Sequence, residues 1–230
     1  MKPAFKQICI IIFLLSFNKQ GIAQISIGIK GHISTIGAPL IAKQDFFSKK
    51  LRPTLNPGVS IFGEYKLNKF LAIQPEIAYR QNQSHFQLHS SPQTIHTSII
   101  SYIRMPLLFK CSQNQKWINL IVFGGPNFGY AVGLNSVETI DEWLANKTVY
   151  TKLDFKEYQI SRFDFALTAG IGIEKTIANK FRTSLDIRYD LGLTDIIKAP
   201  FYSYVNRGIA LEMGILIPIS GKKKNEKTSD

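Results

Sequence analysis

The sequence has few cysteines, few charged residues and no long apolar run beyond its first 23 residues. Its 230 residues include only two cysteines, Cys9 and Cys111. No later segment reaches the roughly 18 consecutive apolar residues that indicate a membrane-spanning helix. A Gly-x-Ser-x-Gly elbow, a His-Glu-x-x-His helix and a phosphate-binding loop are all missing, and residues 170–172 lack the third glycine of a dinucleotide site. The sequence therefore indicates neither a helical membrane protein nor an enzyme of these classes.

The composition also limits the fold class. Charged residues make up 19% of the chain and apolar residues 45%, which is too apolar for a disordered chain. The 28 basic residues outnumber the 16 acidic ones, giving a formal charge of +12. Taken alone, this excess suggests nucleic acid or an anionic membrane surface as a partner.

Residues 1–23 have the pattern of a secretory signal peptide. Lys2 and Lys6 precede an apolar core at residues 8–17, and the small residues of Gly21-Ile22-Ala23 follow it. The core is far shorter than the roughly 20 residues of a spanning helix. We therefore expect cleavage after residue 23 and transport through the inner membrane. Only one cysteine would then remain, which excludes an intrachain disulfide.

A period of two dominates the rest of the sequence. Apolar residues alternate with small or charged ones, as expected of strands whose two faces meet different surroundings. Most of these segments are longer than a typical globular strand and match the roughly 9–11 residues that cross a bilayer at a tilt. The eight segments are residues 25–34, 58–67, 70–81, 99–110, 117–133, 163–175, 181–193 and 206–219.

The two faces of these segments differ in charge. One face is apolar and carries no charged residue, whereas the other combines glycines with seven basic and seven acidic residues. The strands thus contribute no net charge, and the positive excess falls at the ends of the barrel, in the leader, the first long connection, the short turns and the last residues, which argues against nucleic acid as a partner. The charged face carries Lys30, Glu64, Lys66, Glu76, Arg80, Arg104, Lys110, Asp164, Glu174, Arg182, Asp186, Arg188, Asp190 and Glu212.

Two architectures fit this pattern. A soluble lipocalin-like barrel would enclose the apolar face around a ligand, whereas a transmembrane barrel would turn it to lipid and enclose the charges. The charge balance favours the second, because an unpaired buried charge is costly. The connections also alternate between short ones (67–70, 111–116, 176–180) and long ones (35–57, 82–98, 134–162, 194–205). This asymmetry is typical of periplasmic turns and extracellular loops.

The aromatic residues of the apolar face agree with a membrane barrel. Tyr65, Phe109 and Phe181 fall near the turn end, and Tyr79, Phe128, Tyr130, Phe163 and Tyr189 fall near the loop end, as in the two aromatic girdles of such barrels. The predicted fold is therefore all-β, an eight-stranded antiparallel up-and-down transmembrane β-barrel over residues 24–220. We expect short periplasmic turns, long extracellular loops and a polar, basic periplasmic tail at 221–230.

Seven runs carry a resemblance to a known family, namely residues 27–31, 57–59, 71–79, 103–110, 123–126, 170–174 and 188–193. In these runs the chain resembles the PorT-like outer-membrane β-barrel family of Gram-negative bacteria, over essentially the whole length after residue 23. This resemblance implies the same fold and an outer-membrane location, and it raises a role in type IX secretion. Two positions depart from the family: Arg104 stands where an acidic residue is more common, and the last strand ends in Ile217-Pro218-Ile219 rather than in an aromatic residue.

The candidate functional residues give weaker signals. The lumen charges are predicted to form a packed ion-pair core among adjacent-strand neighbours rather than a channel or an acid/base site. His85, His89 and His96 share one long connection but lack a ligand cluster at metal spacing. Glu138, Asp141 and Glu142 beside Trp143 form an acidic, aromatic tip.

The predicted function is accordingly that of a non-enzymatic outer-membrane barrel with a closed lumen. Its partners would be outer-membrane lipid and proteins reached through the long loops, with no cofactor, metal ion, nucleic acid or small-molecule substrate indicated. The alternatives are a component that assists protein secretion, a barrel enzyme that uses lumen carboxylates, and a soluble lipocalin-like carrier.

Overall fold

The computed structural model describes most of the chain between Ile25 and Ile219. The predicted signal peptide and polar tail lie outside the described residues. Within the strands, only the backbone is described for residues 41–42, 84–88, 93–96, 114, 138–142, 145–147 and 202–203. The described stretches are 25–35, 41–42, 55–88, 93–114, 117–142, 145–157, 159–177, 181–196, 202–203 and 205–219.

Nearly all of the described residues lie in β-strands. The alternation of β-branched or aromatic residues with small and polar ones suits a pleated strand with two unlike faces. No helix long and apolar enough to cross a membrane occurs within these stretches. The strands are β1 (Ile25–Ser34), β2 (Ile41–Ala42), β3 (Asn56–Lys66), β4 (Leu71–Leu88), β5 (Gln93–Asn114), β6 (Asn119–Glu142), β7 (Ala145–Lys152), β8 (Phe163–Ile177), β9 (Phe181–Gly192), β10 (Tyr202–Ser203) and β11 (Arg207–Pro218).

Eight of these strands form a closed antiparallel barrel. Their order is β5-β4-β3-β1-β11-β9-β8-β6, and pairing of β5 with β6 closes the circle. Following the paired residues once around from Tyr102 leads back to β5 at Ser112, ten residues further along the strand. Such a stagger goes with strands tilted by roughly 35–45°. The predicted eight-stranded up-and-down barrel is confirmed.

The apolar face is outside and the charged face is inside. Along β1, each exposed isoleucine is followed by a buried small or polar residue, and β11 shows the same alternation of exposed and buried residues, with Leu216 as a buried apolar residue. The exposed side chains form an apolar belt that includes Ile187 and Met213, which are 52% and 67% exposed. The lipocalin-like alternative is therefore wrong, because it requires the opposite assignment of the two faces.

Two of the predicted long loops are largely strand. β4 continues to Leu88 and β5 starts at Gln93, while β6 continues to Glu142 and pairs with β7. These strands form a sheet that extends beyond the barrel at its loop end. A bulge between Ser101 and Tyr102 shifts the register of β5 against β6 where this extension begins. Both faces of the extension lie outside the apolar belt, so the apolar alternation that marked the other strands is weak there.

A small apolar cluster covers the barrel on its loop side. Tyr102, Ala131, Leu134 and Phe155 are buried together, with Leu153 and Ile160 packed against them. The connection that carries Phe155 is fixed by the backbone of Ser161, whose N–H donates to the carbonyl of Ile196 over 2.6 Å. This cluster separates the charged lumen from the loop-end surface.

Candidate functional site

The lumen is the only concentration of charged side chains inside the described part of the fold. All fourteen charges predicted for this face point inward. Twelve of them are buried, at most 5% exposed, while Lys66 and Arg182 at the turn end are half-buried. The prediction of a charged, inward face is confirmed for every one of these residues.

Four charges form a closed ring at the turn end. Lys110 Nζ lies 2.7 Å from Glu64 Oε2 and also contacts Glu174. Arg182 completes the ring with distances of 2.5 Å to Glu64 and 3.1 Å to Glu174. Its guanidinium also donates to Ser26 Oγ over 3.1 Å. Two cations and two carboxylates from four strands thus neutralise one another.

A second layer occupies the middle of the barrel. Arg188 contacts Glu76 at 2.9 Å and Glu212 at 3.0 Å. Lys30 lies between Asp186, Glu76 and Glu212, at 3.1, 3.4 and 3.6 Å. Gln74 donates its side-chain amide to Glu76 over 2.6 Å, which uses a further lone pair of that carboxylate.

Arg80 connects the middle layer to the next one. Its two terminal nitrogens bind Asp190 at 2.7 Å and Glu212 at 3.0 Å. Asp190 also accepts from Thr168 and from the Asn127 amide. Together the middle layers hold three cations against four carboxylates, Lys30, Arg80 and Arg188 against Glu76, Asp186, Asp190 and Glu212.

The loop end of the lumen is organised around Asp164. This carboxylate pairs with Arg104 and accepts from the Asn206 amide over 2.8 Å and from Thr194 Oγ1 over 3.2 Å. Asn206 in turn accepts from Asn82 over 2.9 Å. Arg104 stands where the resembled family more often has an acidic residue, and in this barrel the carboxylate of Asp164 is its partner.

Most of these ion pairs join strands that are not neighbours, contrary to the prediction. Arg80 on β4 reaches Asp190 on β9, and Arg188 on β9 reaches Glu76 on β4. An eight-stranded barrel is narrow enough for side chains to fill it, so long side chains meet across the lumen. Arg188 with Glu212 and a minority of the other ion pairs do join adjacent strands, as the sequence predicts.

Two phenylalanines inside the lumen were missed by sequence reasoning. Phe62 and Phe123 are buried among the charges, and Lys30 Nζ lies 4.9 Å from the Phe62 ring centroid, a cation–π distance. Phe62 is two residues from Glu64, and Phe123 is two residues from Gly125. The alternation of the strands therefore places both rings on the charged face, which is the signal that the sequence offers. Glycines make room for the rings, because a Cβ at Gly28 would lie 2.5 Å from Phe62 Cζ.

Two further buried polar residues were also missed. His32 and Tyr102 are at most 5% exposed and lie on the inward face of β1 and β5. The His32 ring fills the space beside Gly58, where a Cβ would lie 1.9 Å from Nε2. Tyr102 lies between Arg104, whose guanidinium carbon is 5.0 Å from the ring centroid, and the apolar cluster above it.

The filled lumen leaves the carboxylates little scope for chemistry. Each of the seven has a cation or a hydrogen-bond donor as a neighbour. A general acid or base needs space for the group that it protonates, and side chains occupy that space here. The arrangement is suited to holding eight strands together around a charged core.

The other two candidates from the sequence lie in or near the loop-end sheet. His85 and His96 are on the paired strands β4 and β5, whereas His89 is outside the described residues. Glu138, Asp141 and Glu142 belong to the end of β6, and Trp143 is outside the described residues. No group of three potential metal ligands occurs among the residues that the structure describes.

Comparisons with known proteins agree with this geometry. The model of the family described as outer membrane protein beta-barrel domain matches residues 19–198. Among solved structures, OprG from Pseudomonas aeruginosa has a TM-score of 0.50 at 11% identity, covering 86% of this chain and 96% of its own. Neisserial surface protein A has a TM-score of 0.45 at 9% identity, with coverages of 84% and 96%. No curated protein matches the chain. At this identity the likeness to OprG shows a shared fold, that of an outer-membrane β-barrel.

Proposed function

The chain belongs to the outer membrane protein beta-barrel domain family, and from this premise we propose that it acts without catalysis, as a closed barrel. Its lumen would serve as a charged core, and its loop-end sheet would make binding or structural contacts outside the membrane. Outer-membrane lipid is its surrounding partner. Proteins that contact the loop-end sheet would be further partners.

The packed lumen is the observation that carries this proposal. Lys110, Glu64, Arg182 and Glu174 close the turn end, and Arg80 and Arg188 fill the middle at 1% and 0% exposure. A conducting pore needs a continuous water-filled path, and larger barrels than this one provide it. The apolar cluster around Phe155 adds a second obstruction at the loop end.

The sheet that extends beyond the barrel supports the second half of the proposal. β7 pairs with β6 alone among the described strands, and the side chains of residues 148–152 are exposed, Tyr150 at 79%. Rigid elements that present exposed side chains on a scaffold commonly carry binding functions.

Planar-bilayer recording tests the closed lumen. The purified, refolded barrel is expected to insert without producing stepwise ion conductance, while a larger porin in the same bilayer provides the positive control. Heat-modifiable migration on a gel shows that the sample is folded. Regular conductance steps from folded protein would refute the proposal of a closed lumen.

The finer assignment to the PorT-like barrels is part of the proposal. It rests on runs such as residues 103–110 and 188–193. The signal peptide at residues 1–23 and the periplasmic tail at 221–230 belong to the same proposal. A role in type IX secretion follows from that resemblance alone, and comparing the secreted proteins of a deletion strain with those of its parent would test it.

A further inference from the structure

One short sequence pattern recurs at the three short connections of the chain. A side-chain amide, a lysine and an aromatic residue follow one another in Asn68-Lys69-Phe70, Gln115-Lys116-Trp117 and Asn179-Lys180-Phe181. In sequence, each copy ends within two residues of the first residue of a strand, namely β4, β6 or β9. The charge-paired lumen does not explain this repetition, because none of the residues in these copies that the structure describes belongs to it.

The first copy shows how the pattern is built. Asn68 Oδ1 accepts hydrogen bonds from the backbone N–H groups of Phe70 and Leu71, both at 2.8 Å. These bonds fix a tight turn, as asparagine side chains often do. Lys69 and Phe70 are consequently exposed side by side, Phe70 at 59%.

The exposed charge at this end of the barrel is positive among the described residues. The nearby carboxylates, Glu64 and Glu174, are buried and already paired with Lys110 and Arg182. Among the residues that the structure describes, Lys69 and Lys175 are exposed with no carboxylate beside them at the surface. The loop end differs, because Asp154 and Glu157 are exposed there near Lys156.

The same end also carries exposed aromatic residues next to the apolar belt. Trp117 is 82% exposed, and Tyr65 and Phe109 on the outer face are 43% and 57% exposed. Aromatic rings favour the membrane interface, and lysines beside a membrane attract anionic lipid. The positive charge therefore lies where the belt meets the headgroups of one leaflet.

We propose that this turn-end surface, formed by Lys69, Phe70, Trp117, Lys175 and Phe181, selects anionic phospholipid headgroups from the leaflet around it. The ammonium groups contact the headgroup charge, and the aromatic residues hold the surface at the depth of the headgroups. The barrel thereby gains a preferred lipid environment at its turn end and none of this kind at its loop end.

Fluorescence quenching by brominated lipid measures this preference. The variant W143F leaves Trp117 as the single tryptophan, so quenching reports lipids at the turn end. The folded barrel is placed in phosphatidylcholine vesicles that contain brominated phosphatidylglycerol or brominated phosphatidylcholine. The ratio of the two binding constants is expected to exceed one, by up to about fivefold per lysine engaged. It should fall towards one in molar salt, where the screening length is about 3 Å.

Lysine substitutions separate this surface from a general charge effect. K69Q/K175Q should lower the ratio, and K152Q/K156Q, which removes two exposed loop-end lysines, should leave it unchanged. Heat-modifiable migration confirms that each variant is folded. A ratio of one in the parent, or equal losses in both double variants, would overturn the proposal. If the quenching did not depend on salt and an acidic protein were bound at the same lysines, a protein would be the occupant of this surface. That result would also overturn the proposal.

Discussion

Replacing Arg188 by methionine should strongly destabilise the barrel. Arg188 is fully buried and contacts Glu76 at 2.9 Å and Glu212 at 3.0 Å. Methionine keeps much of the side-chain volume and removes the charge. The middle of the lumen would then hold two cations against four carboxylates. Removing one partner of a buried ion pair typically costs about 3–5 kcal/mol, and we expect a loss in that range.

Removing the carboxylate instead should cost less. In Glu212→Gln each neighbouring cation keeps another partner: Arg80 keeps Asp190 at 2.7 Å, and Arg188 keeps Glu76. The cations and carboxylates of the middle layers would then be equal in number. A lost hydrogen-bond partner costs about 1–3 kcal/mol, so this variant should be more stable than Arg188→Met.

Urea unfolding in phospholipid vesicles measures these differences, with the folded fraction read from the heat-modifiable gel band. The double variant Arg188→Met, Glu212→Gln should lose less than the sum of the single changes, with a coupling of about 0.5–3 kcal/mol. Lys152→Met, on the exposed loop-end surface, is the control for loss of a surface charge and should stay within about 0.5 kcal/mol of the parent. The reasoning fails if Arg188→Met costs less than about 1 kcal/mol or if the single changes add without coupling.

Two further pairs of substitutions test the outer face and the packing of the strands. Ile187→Arg places a charge in the apolar belt and should lower the free energy of unfolding by about 2–4 kcal/mol in the same assay. Tyr150→Arg, beyond the belt, is the control and should change stability by no more than about 0.5 kcal/mol. Equal effects of the two substitutions would contradict the proposed belt. Gly125→Ala would bring a Cβ within 2.0 Å of the Leu107 carbonyl oxygen and should cost about 1–3 kcal/mol. A Cβ at Gly31 meets no atom within 4 Å, so Gly31→Ala should be neutral or stabilising by up to about 1 kcal/mol; a larger loss at Gly31 would show that the strands are packed differently.

The barrel could be predicted from the sequence because its two faces meet opposite surroundings. In β9, Leu185, Ile187 and Tyr189 face outward, whereas Asp186 and Arg188 face inward. A shift of the register by one residue would exchange the two faces, so the alternation predicts both that a segment is a strand and which of its side chains point into the lumen. The alternation ends where both faces of a strand meet similar surroundings, and for that reason the sequence predicts loops at the loop-side ends of β4, β5 and β6.

The pairing inside the lumen could not be predicted in the same way. Sequence parity places Arg80 and Asp190 on the inner face, but their contact depends on the ten-residue stagger of the closed barrel. That stagger is a property of all eight strands together. The lumen aromatic residues were missed for another reason: Phe62 and Phe123 are apolar residues on the polar face, where cations cover their rings.

Oxygen accessibility along β11 tests the inside-out assignment most directly. Single spin labels at Ile209, Met213 and Ile217, in a chain with Cys9 and Cys111 replaced by serine, report collisions with dissolved oxygen and with a water-soluble nickel chelate in vesicles. The apolar belt predicts the highest oxygen and the lowest nickel accessibility at Met213, with nickel accessibility rising towards Ile209 and Ile217. Equal and high nickel accessibility at all three positions would show that this face meets water and would contradict the account.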